Sequence, residues 1–592
     1  KNATAYLSIC NYASVSQGDA TVGNVTVGDI TATLADYAYA DVDIYNYVYA
    51  YKGNVTVGDV TVEDVAFTVG KNATAYLTIC NYASVSQGDA TVGNVTVGDI
   101  TATLADYAYA DVNIYNSAYV WNKGNVTVGD VTVEDVAFTV GKNATAYLSI
   151  CNYASVSQGD ATVGNVTVGD ITATLADYAY ACGWIINGAY KAIGTGDVSV
   201  GNVTVGDITQ NVNGIDSYVS SYVCNSAVSY GIGNISVGDI TIGNITENVA
   251  DFALYGFVCV SNYAYGYATG DVTVGDVNIG DVNFTVGSAY GGASLTVYNY
   301  GRAGGFGNVT VGDINVGNIT INLDAAGGGT AYAYVGLFNE AFAAIDDASA
   351  GNINVGNITV NAGAGSCFFF FTASIIAAAG ILGTPAAGDI TVGNITVTEV
   401  AASANNLATL TAWFLPLTSG TITVGNVDYS GYISSGAIID VSGFRGAPEI
   451  RGTVNADTIT DNVDKNAIYL GKIASDSDGD GASDVVTFVQ GNTGKSSITD
   501  LNKLYWFEPG VDTIQIDIDG AGTLSYGGSF PNYAQFFMAA YNAIDIWGTD
   551  IYFGSVGSDS YIAVDYNDDL VLDYVIQVVG VTGDFSANIV PV

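Results

Sequence analysis

A five-residue period built on Gly followed by Asn or Asp constrains this chain more than any other feature. Its clearest stretch is G-D-A-T-V-G-N-V-T-V-G-D-I-T, from Gly18 to Thr31. Blocks of this kind occur twelve times at intervals of 30 to 44 residues, and they fill roughly the first 430 residues. Their anchoring glycines are Gly23, Gly53, Gly93, Gly124, Gly164, Gly201, Gly233, Gly270, Gly307, Gly351, Gly388 and Gly420.

The odd length of this period argues against one continuous strand. Side chains alternate with period two along a strand, so each pentad would turn its Val pair to the opposite face from the last. The conflict disappears if each Gly-Asx pair is a corner, since Gly allows positive φ and Asx tolerates left-handed backbone and bonds its own backbone. The V-T-V triplets then become short strands, forming either three successive sides of a β-solenoid coil or stacked β-hairpins with two-residue turns. We favour the solenoid.

A longer repeat contains the pentads. Residues 1–70 recur nearly verbatim from Lys71, and the K-N-A-T-A-Y-L block returns at Lys142. Such duplication favours architecture over chemistry. We therefore expect an all-β protein with a tandem-repeat array of about twelve units over residues 1–430. Residues 431–592, where the pentads stop and Arg445 and Arg451 raise the basic content, are expected to form a separate C-terminal β domain.

Tyr-rich segments separate the pentad blocks. From Leu34 to Tyr51 the residues alternate cleanly, which predicts a strand. One face carries aliphatic side chains such as Ile44 and Val48, and the other carries phenols that combine large area with a polar tip. The candidate assembly face consists of Tyr37, Tyr39, Tyr45, Tyr47 and Tyr49.

Composition excludes several classes of function. The chain has 57 acidic and 13 basic residues, so nucleic acid is not an expected partner. It has no His, which removes the commonest general base and every Ser-His-Asp or Cys-His arrangement. We expect no enzymatic activity; the weaker rival is a polysaccharide lyase or glycosidase that uses carboxylates alone on a β-helix. The apolar run Cys367–Leu382 is too short for a usual spanning helix, and we interpret it as a buried strand pair rather than a membrane span.

Two Asp-rich loops are candidate calcium sites. D-S-D-G-D-G-A-S-D places carboxylates at loop positions 1, 3, 5 and 9, with Gly481 at position 6, a spacing that wraps oxygen ligands around one Ca²⁺. Position 12 is Thr487 rather than Glu, so the loop resembles those of thrombospondin type 3 repeats, dockerins and integrin propellers rather than a full EF-hand. The predicted ligands are Asp476, Asp478, Asp480 and Asp484. A second, weaker match to this loop spacing has Leu570 in place of the Gly. Its predicted ligands are Asp565, Asn567, Asp569 and Asp573.

Seven cysteines are scattered through the array without any C-x-x-C pair. Cys10, Cys80 and Cys151 are equivalent positions two units apart, too far along a solenoid for direct bridges. An odd number in a secreted chain leaves at least one thiol free or shared between molecules. The candidates for disulfides or intermolecular cross-links are Cys10, Cys80, Cys151, Cys182, Cys224, Cys259 and Cys367.

N-x-S/T sequons recur throughout the array because G-N-V-T-V creates one in each copy, whether or not a glycan is attached. Sparse glycosylation of exposed corners is the expectation. The chain opens at Lys1 without Met, which fits either a cleaved signal peptide or a sequence trimmed upstream. The sequon residues are Asn2, Asn24, Asn54, Asn72, Asn94, Asn125, Asn143, Asn165, Asn202, Asn234, Asn244, Asn283, Asn308, Asn318, Asn357 and Asn394.

The array of Gly-, Val-, Thr- and Tyr-rich repeats with scattered cysteines resembles the sheath proteins of filamentous methane-producing archaea, and more loosely archaeal surface-layer and repeat adhesin proteins. That resemblance covers the first 430 residues. It implies an amyloid-like, disulfide-assisted tube of stacked β subunits outside the cell. We expect a structural subunit that polymerises with copies of itself through sheet edges and Tyr faces. The alternative is an adhesin or surface binding protein, in which the repeats form a stalk.

Overall fold

The computed structural model describes most of the repeat array and parts of the C-terminal region. Described in the array are residues 3–287, 291–325, 330–363, 366–380 and 382–399. Described beyond it are residues 407–414, 422–431, 438–440, 445–446, 449–451, 458–460, 467–470, 484–488, 501–516, 518, 522–565, 570 and 572–591. The predicted all-β class is confirmed.

The chain divides into two compact units. The first comprises residues 1–355, 367–390 and 409–420, and the second comprises residues 356–366, 391–408 and 421–592. The domain boundary that the sequence indicates near residue 430 stays a prediction.

The first unit is wound from coils with four sides. A long strand of 12 to 15 residues is followed by two strands of three residues and one of five, which we call the long side and the first, second and third short sides. The long sides are Thr4–Gln17, Tyr39–Lys52, Thr74–Gln87, Tyr109–Lys123, Thr145–Gln158, Tyr180–Lys191, Tyr218–Ser229, Tyr255–Gly266, Gly292–Ala303, Thr330–Ala343 and Ser366–Ala378.

The short sides repeat with the same regularity. The first short sides are Ala20–Val22, Val55–Val57, Ala90–Val92, Val126–Val128, Ala161–Val163, Val198–Val200, Ile235–Val237, Val272–Val274, Val309–Val311, Ala348–Ala350 and Pro385–Ala387. The second are Val25–Val27, Val60–Val62, Val95–Val97, Val131–Val133, Val166–Val168, Val203–Val205, Ile240–Ile242, Val277–Ile279, Ile314–Val316 and Ile353–Val355. The third are Ile30–Leu34, Val65–Val69, Ile100–Leu104, Val136–Val140, Ile171–Leu175, Ile208–Val212, Ile245–Val249, Val282–Val286 and Ile319–Leu323.

Equivalent sides of successive coils pair in parallel and in register. The strand Tyr39–Lys52 lies between Thr4–Gln17 and Thr74–Gln87, and each triplet stacks Val on Val, as Val60 does on Val25 and Val95 does on Val60. Stacked hairpins would instead give antiparallel neighbours. The solenoid interpretation is confirmed, with about eleven turns. The Cys367–Leu382 run contributes one long strand, Ser366–Ala378, rather than the predicted strand pair.

The core lies between the inner face of the long side and the inner faces of the short sides. Val55, Val57, Ile44 and Val48 are at most 1% exposed, whereas Thr56 points outward. Fully burying one Val or Ile side chain contributes about 1.5–3 kcal/mol. Since every coil repeats this pattern, apolar burial supplies most of the stabilisation of each coil.

Each Gly-Asx pair is a corner, as the odd period predicts, but the Asx side chain acts between coils rather than on its own backbone. At the first corner, the Oδ1 of Asp19 accepts the N–H of Asn54, and such bonds of 2.7–3.3 Å continue coil by coil to Thr384. The second corner carries the same ladder from Asn24 to Asp389 at 2.6–2.9 Å. Corner backbone N–H groups thus receive an acceptor from the neighbouring coil.

This ladder explains why Gly precedes Asx at the second corner. A Cβ on Gly93 would overlap the Oδ1 of Asp59, and one on Gly58 would overlap the Oδ1 of Asn24. Between the first and second corners, only the glycines of the first have positive φ, for example Gly53 and Gly88 with φ of 127° and 129°. The expectation that Gly serves every corner through positive φ is therefore wrong at the second.

A fourth corner returns the chain to the next long side and interrupts the strand predicted from Leu34 to Tyr51. The third short side Ile30–Leu34 ends at this corner, and a turn follows. In that turn Tyr37 has a left-handed φ of 62°. The turn is closed by the N–H of Ala38, which donates to the carbonyl oxygen of Ala35. The single-strand prediction was wrong because sequence alternation happens to continue through the turn.

The fourth corner also explains the near-verbatim long repeat. Asp36, Lys71, Asp106, Lys142 and Asp177 occupy this corner in successive coils. The Nζ of Lys142 lies 3.5 Å from Asp177 Oδ2. The long repeat therefore spans two coils and alternates the sign of charge along this corner.

The second unit also contains parallel ladders. One ladder contains Ile358–Ala362, Ile395–Glu399, Val427–Gly431, Glu449–Arg451, Ala467–Tyr469, Asn502–Tyr505 and Tyr574–Val579. Another contains Ile438–Asp440, Thr458–Thr460, Val485–Phe488, Thr513–Ile516 and Ile589–Pro591. Leu524–Phe530 pairs in parallel with Ile551–Val556, which continues antiparallel through Asp559–Val564 to Tyr574–Val579. The remaining strands are Ile422–Val424 and Arg445–Gly446, while Ile390–Val392 and Leu407–Phe414 lie at the division between the units.

The described part of the predicted C-terminal β domain includes an α-helix, Tyr533–Trp547, and a short 3₁₀ turn at Ser586–Asn588. The Oδ1 of Asn532 caps the helix by accepting the N–H of Gln535, and Gly548 ends it with φ of 65°. Phe536, Ala540, Ala543 and Ile544 form its buried face and pack with residues such as Tyr552, Tyr561 and Val575. Spacing of i, i+4, i+7 and i+8 is the pattern of a helix that buries one side.

Candidate assembly face

The long side is held against the corners by a column of buried Asn side chains. Asn46 is fully buried, and its Nδ2 donates to the carbonyl oxygens of Gly58 (3.2 Å) and Gly23 (3.1 Å) and to Oδ1 of Asn81. The column supplies donors to second-corner carbonyls that point into the core. Its members are the half-buried Asn11 and the fully buried Asn46, Asn81, Asn116, Asn152, Asn187, Asn225, Asn262, Asn299 and Asn339.

With its inner face fixed, the long side presents a row of aromatic rings outward. Ring centroids of successive tyrosines lie 5.5–5.8 Å apart in an unbroken zigzag over seven coils, which we call the Tyr column. It consists of Tyr6, Tyr39, Tyr76, Tyr109, Tyr147, Tyr180 and Tyr218. Parallel in-register pairing brings the rings to the separation that aromatic pairs prefer.

Phenols on this face are hydrogen-bonded to carboxylates on the same strand. Tyr39 Oη donates to Asp41 Oδ2 at 3.2 Å, Tyr45 to Asp43 at 3.3 Å and Tyr109 to Asp111 at 3.3 Å. Burial, with the Asp41 charge next in importance, raises the pKa of Tyr39 to about 12. The pKa of Asp43 is raised by burial and then by the charge of Asp41. The phenols therefore stay neutral across the physiological pH range.

Four of the five predicted assembly tyrosines lie on this outward face. Tyr39, Tyr45 and Tyr47 are partly covered by neighbouring coils, and Tyr49 is half-exposed. Tyr37 lies instead at the fourth corner, where it is exposed. A second group of neighbouring rings, tilted against one another, joins Tyr82, Tyr119 and Tyr153 with centroids 5.5 and 6.0 Å apart.

The predicted cross-link cysteines fall mostly in one outward column. Register aligns Cys10, Cys80, Cys151 and Cys224, with Tyr45, Tyr115 and Ile186 between them, so each is two coils from the next. At about 4.8 Å per coil, this spacing exceeds the reach of a disulfide. All seven cysteines are unbridged. Cys182 and Cys367 are buried, and Cys259 is half-buried opposite Tyr222, two residues along its strand from the column position at Ser261.

Burial controls the chemistry of these thiols. It raises the pKa of Cys80, Cys151 and Cys224 to about 11, while Cys10 is exposed. A thiol with a raised pKa is a poor nucleophile near neutral pH. Cys10 is thus the member of the column most accessible to another molecule.

The short sides offer an acidic surface of different character. Most sequon Asn residues, including Asn24 and Asn54, lie at exposed corners, where their Oδ1 atoms accept a backbone N–H from the next coil. At the third corner, the carboxylates of Asp64, Asp99 and Glu134 come within 4.8 Å of one another. Like charges at this separation repel unless they are screened by salt or cations.

The predicted calcium positions lie largely outside the described residues. Asp476, Asp478, Asp480, Asn567 and Asp569 are outside them. Asp484 is buried, and its N–H donates to Asp512 Oδ1 at 3.1 Å. Asp565 is also buried, and its Oδ2 accepts the N–H of Leu570 at 2.9 Å, while Asp573 donates its N–H to the carbonyl oxygen of Val564.

Leu570 takes the backbone conformation that a calcium loop requires at its sixth position. Its φ is 67°, in the left-handed region that Gly normally occupies. Having Leu570 rather than Gly at the sixth position therefore does not prevent this turn.

No protein-family model and no curated protein matches the chain. Within the described residues, the structure contains no helix with the length and apolar character needed to cross a bilayer.

Sequence reasoning missed two buried polar features of the array. The Asn column shares the parity of Ile44 and Val48, and its recurrence at one position in ten coils is the signal that reveals it. Glu247 is completely buried on a third short side, where register places it between Gln210 and Phe284. Its Oε2 accepts the N–H of Ser294, and its Oε1 has no partner.

Proposed function

We propose that this chain is a structural subunit of an extracellular polymer, such as a cell sheath, wall or surface layer, and that its partner is another copy of itself. The observation that carries the proposal is the Tyr column, an uninterrupted row of outward rings from Tyr6 to Tyr218. The resemblance to archaeal sheath proteins supports the same proposal.

Aromatic area favours the long side as the contact surface between copies. The chain carries a formal net charge of −44, so two copies repel each other over most of their surfaces. The Tyr column combines large ring area with carboxylates, such as those of Asp41 and Asp111, that accept hydrogen bonds from its phenols, and burial keeps the pKa of Tyr39 near 12. Contact there buries aromatic surface, and exposed sheet edges supply additional backbone hydrogen bonds.

The proposed role is non-catalytic. The outward columns repeat the same few residue types from coil to coil, which suits a surface that meets its own copy in register. Intermolecular bridges through Cys10 would then strengthen contacts that the Tyr column establishes. Sparse glycans on corner Asn residues are compatible with this role, because the short sides are not needed for the contact.

Calcium is proposed as a structural ion in the C-terminal region, at the loop that ends with Asp484. Limited proteolysis with and without a chelator tests this proposal. Chelation is expected to expose residues 431–592 more than the repeats. Equal protection of both regions with and without chelator contradicts it, and faster cleavage of the repeats would instead point to the carboxylates around Asp99.

The alternative is an adhesin or surface binding protein. It is favoured by the second unit, which departs from the repeat pattern and carries the helix Tyr533–Trp547. A full chain that stays monomeric at high concentration supports this alternative over the polymer.

Sedimentation velocity and negative-stain electron microscopy of the purified full chain test the polymer proposal. The sharpest variant is Tyr39→Thr/Tyr109→Thr, since register places Thr74 and Thr145 at the equivalent positions of alternate coils. The intact chain is expected to form polymers, and the variant is expected to stay folded but assemble at higher concentration.

The matched control is Thr56→Ser/Thr127→Ser on the first short side, where Ser199 already occupies the equivalent position. It is expected to assemble like the intact chain. Equal assembly by the intact chain and the Tyr variant contradicts the role of the Tyr column.

A further inference from the structure

The second unit contains an aromatic cleft beyond the strand Asn502–Tyr505. Its volume is about 750 Å³, within the range of small-molecule sites. Tyr505, Trp506 and Glu508 line one wall, and residues 579–582 line the other. The two walls begin at the paired positions Tyr505 and Val579 of adjacent parallel strands, so the strand pairing fixes their separation.

Trp506 holds a backbone conformation that is costly for its residue type. Its φ is 65°, in the left-handed region where a bulky non-Gly residue is rare. Strain of this kind persists when the surrounding structure imposes it, and it concentrates at ligand-binding positions. The indole is half-buried and lines the cleft.

Buried Asp512 fixes the loop that carries Trp506. Its Oδ2 accepts the N–H of Glu508 at 2.7 Å, and its Oδ1 accepts the N–H of Asp484 at 3.1 Å. Its carbonyl oxygen accepts from Asn588 Nδ2 at 2.6 Å. The cleft wall is therefore preorganised before any ligand arrives, which lowers the entropic cost of binding.

The residues of the cleft determine the class of ligand. Flat rings at Tyr505 and Trp506 can stack on the apolar faces of sugar rings, while the Glu508 carboxylate can accept hydrogen bonds from hydroxyl groups. Anionic ligands are disfavoured by the net charge of −44, and the described residues that line the cleft include no Lys or Arg to offset it.

We propose that this cleft, formed by Tyr505–Val511 and residues 579–582, is a binding site for neutral saccharides. It stands independently of polymer formation, because a wall subunit and an adhesin could each use it to hold a neighbouring polysaccharide.

Intrinsic tryptophan fluorescence and isothermal titration of the full chain test the site. The probes are cellohexaose, mannohexaose and chitohexaose, with polygalacturonate as an acidic polymer and a proline-rich peptide as a second aromatic-groove ligand. At least one neutral hexasaccharide is expected to bind and to change the tryptophan emission.

Trp506→Gly is the decisive variant because Gly adopts positive φ without strain, so the loop is retained while the ring is removed. Binding is expected to weaken about tenfold or more, consistent with the loss of aromatic contacts. The matched control is Leu570→Gly, another residue of the second unit with positive φ, which is exposed and does not line the cleft, so binding is expected to be unchanged. Circular dichroism reports whether both variants keep the fold.

Glu508→Gln provides a second test that preserves shape and is expected to weaken binding without changing stability. The proposal is overturned if none of the three neutral hexasaccharides binds at millimolar concentration, or if Trp506→Gly binds as well as the intact chain. Binding of only polygalacturonate or only the proline-rich peptide also overturns it.

Discussion

Asn54 donates its backbone N–H to the Oδ1 of Asp19, 2.8 Å away and one coil earlier. Asn54 in turn accepts the N–H of Asp89 through its own Oδ1 at 3.0 Å. Each corner Asx is therefore both a donor to the preceding coil and an acceptor for the next. The pentad therefore specifies a hydrogen bond between successive coils as well as a bend within one coil.

Replacing one corner acceptor tests this hydrogen bond between coils. Asp130 Oδ1 accepts the N–H of Asn165, so Asp130→Ala is expected to destabilise the adjacent coils by about 1 kcal/mol. Asp130→Asn keeps the acceptor and is expected to be at least as stable as the native chain. Native-state hydrogen exchange at Asn165 measures both, and equal protection in the Ala and Asn variants would contradict the ladder.

Gly is required at the second corner because a Cβ there would overlap atoms of the preceding coil. Gly93→Ala would drive its Cβ into Asp59 Oδ1 and the backbone of Gly58, so a marked fall in thermal midpoint is expected. The matched control is Gly183→Ala on a long side, where a Cβ meets no atom within 4 Å. If both substitutions shift the midpoint equally, the spatial explanation fails.

The buried Asn column is expected to be more costly to interrupt than any outward Asn. Asn116→Ala leaves the carbonyl oxygens of Gly93 and Gly129 without its Nδ2 donor, at 3.0 and 3.3 Å in the native chain. The two carbonyls keep a second donor, from Asn81 Nδ2 and Asn152 Nδ2, so a loss of about 1–3 kcal/mol is expected from the hydrogen bonds removed. The control, Asn113→Ala on the outward face of the same strand, is expected to change local stability by less than half as much. Denaturant-dependent hydrogen exchange of neighbouring strands compares the two.

The sequence allowed the coil, the corners and the inward Val residues to be predicted because they follow from one periodicity that recurs in every copy. The Asn column could have been found by the same comparison. Features without repetition were harder to predict. The environments of Trp506 and Glu247 are not repeated along the chain, and both depend on distant residues: Asp512, which fixes the Trp506 loop, contacts Asp484 and Asn588, and Glu247 contacts Ser294. The break at Tyr37 was missed because alternation does not distinguish a strand from a turn with matching parity.

Glu247 predicts a specific pH dependence of stability. Burial raises its pKa well above the ordinary value of 4.5. At a pH between 4.5, the ordinary pKa of the unfolded chain, and the higher folded-state pKa, the folded chain holds a proton that the unfolded chain has released. The free energy of unfolding therefore falls as pH rises from about 4.5 toward the folded-state pKa. Glu247→Gln removes this contribution, and its thermal midpoint is expected to exceed that of the native chain at neutral pH.

The comparison for this prediction is Glu63→Gln at an exposed corner. It is expected to leave the pH profile of the thermal midpoint unchanged. If the thermal midpoint of Glu247→Gln depends on pH as steeply as that of the native chain, groups other than Glu247 cause the dependence.

Thiol labelling distinguishes the cysteines that can form intermolecular bridges. Because burial raises the pKa of Cys80 and Cys151 to about 11, both are expected to react slowly with iodoacetamide at pH 8. Exposed Cys10 is expected to react first, and Cys10→Ser is expected to remove reducible cross-links from assembled material. Mass spectrometry of labelled peptides gives the order, and fast labelling of Cys80 and Cys151 in the folded chain would contradict it.

Electron cryomicroscopy of material assembled from the full chain tests the central claim most directly. The expected map shows parallel strands stacked about 4.8 Å apart within each subunit, with neighbouring subunits meeting along the rings from Tyr6 to Tyr218. Subunits that meet only through their acidic short sides, or preparations that contain only single particles at every concentration, would contradict it.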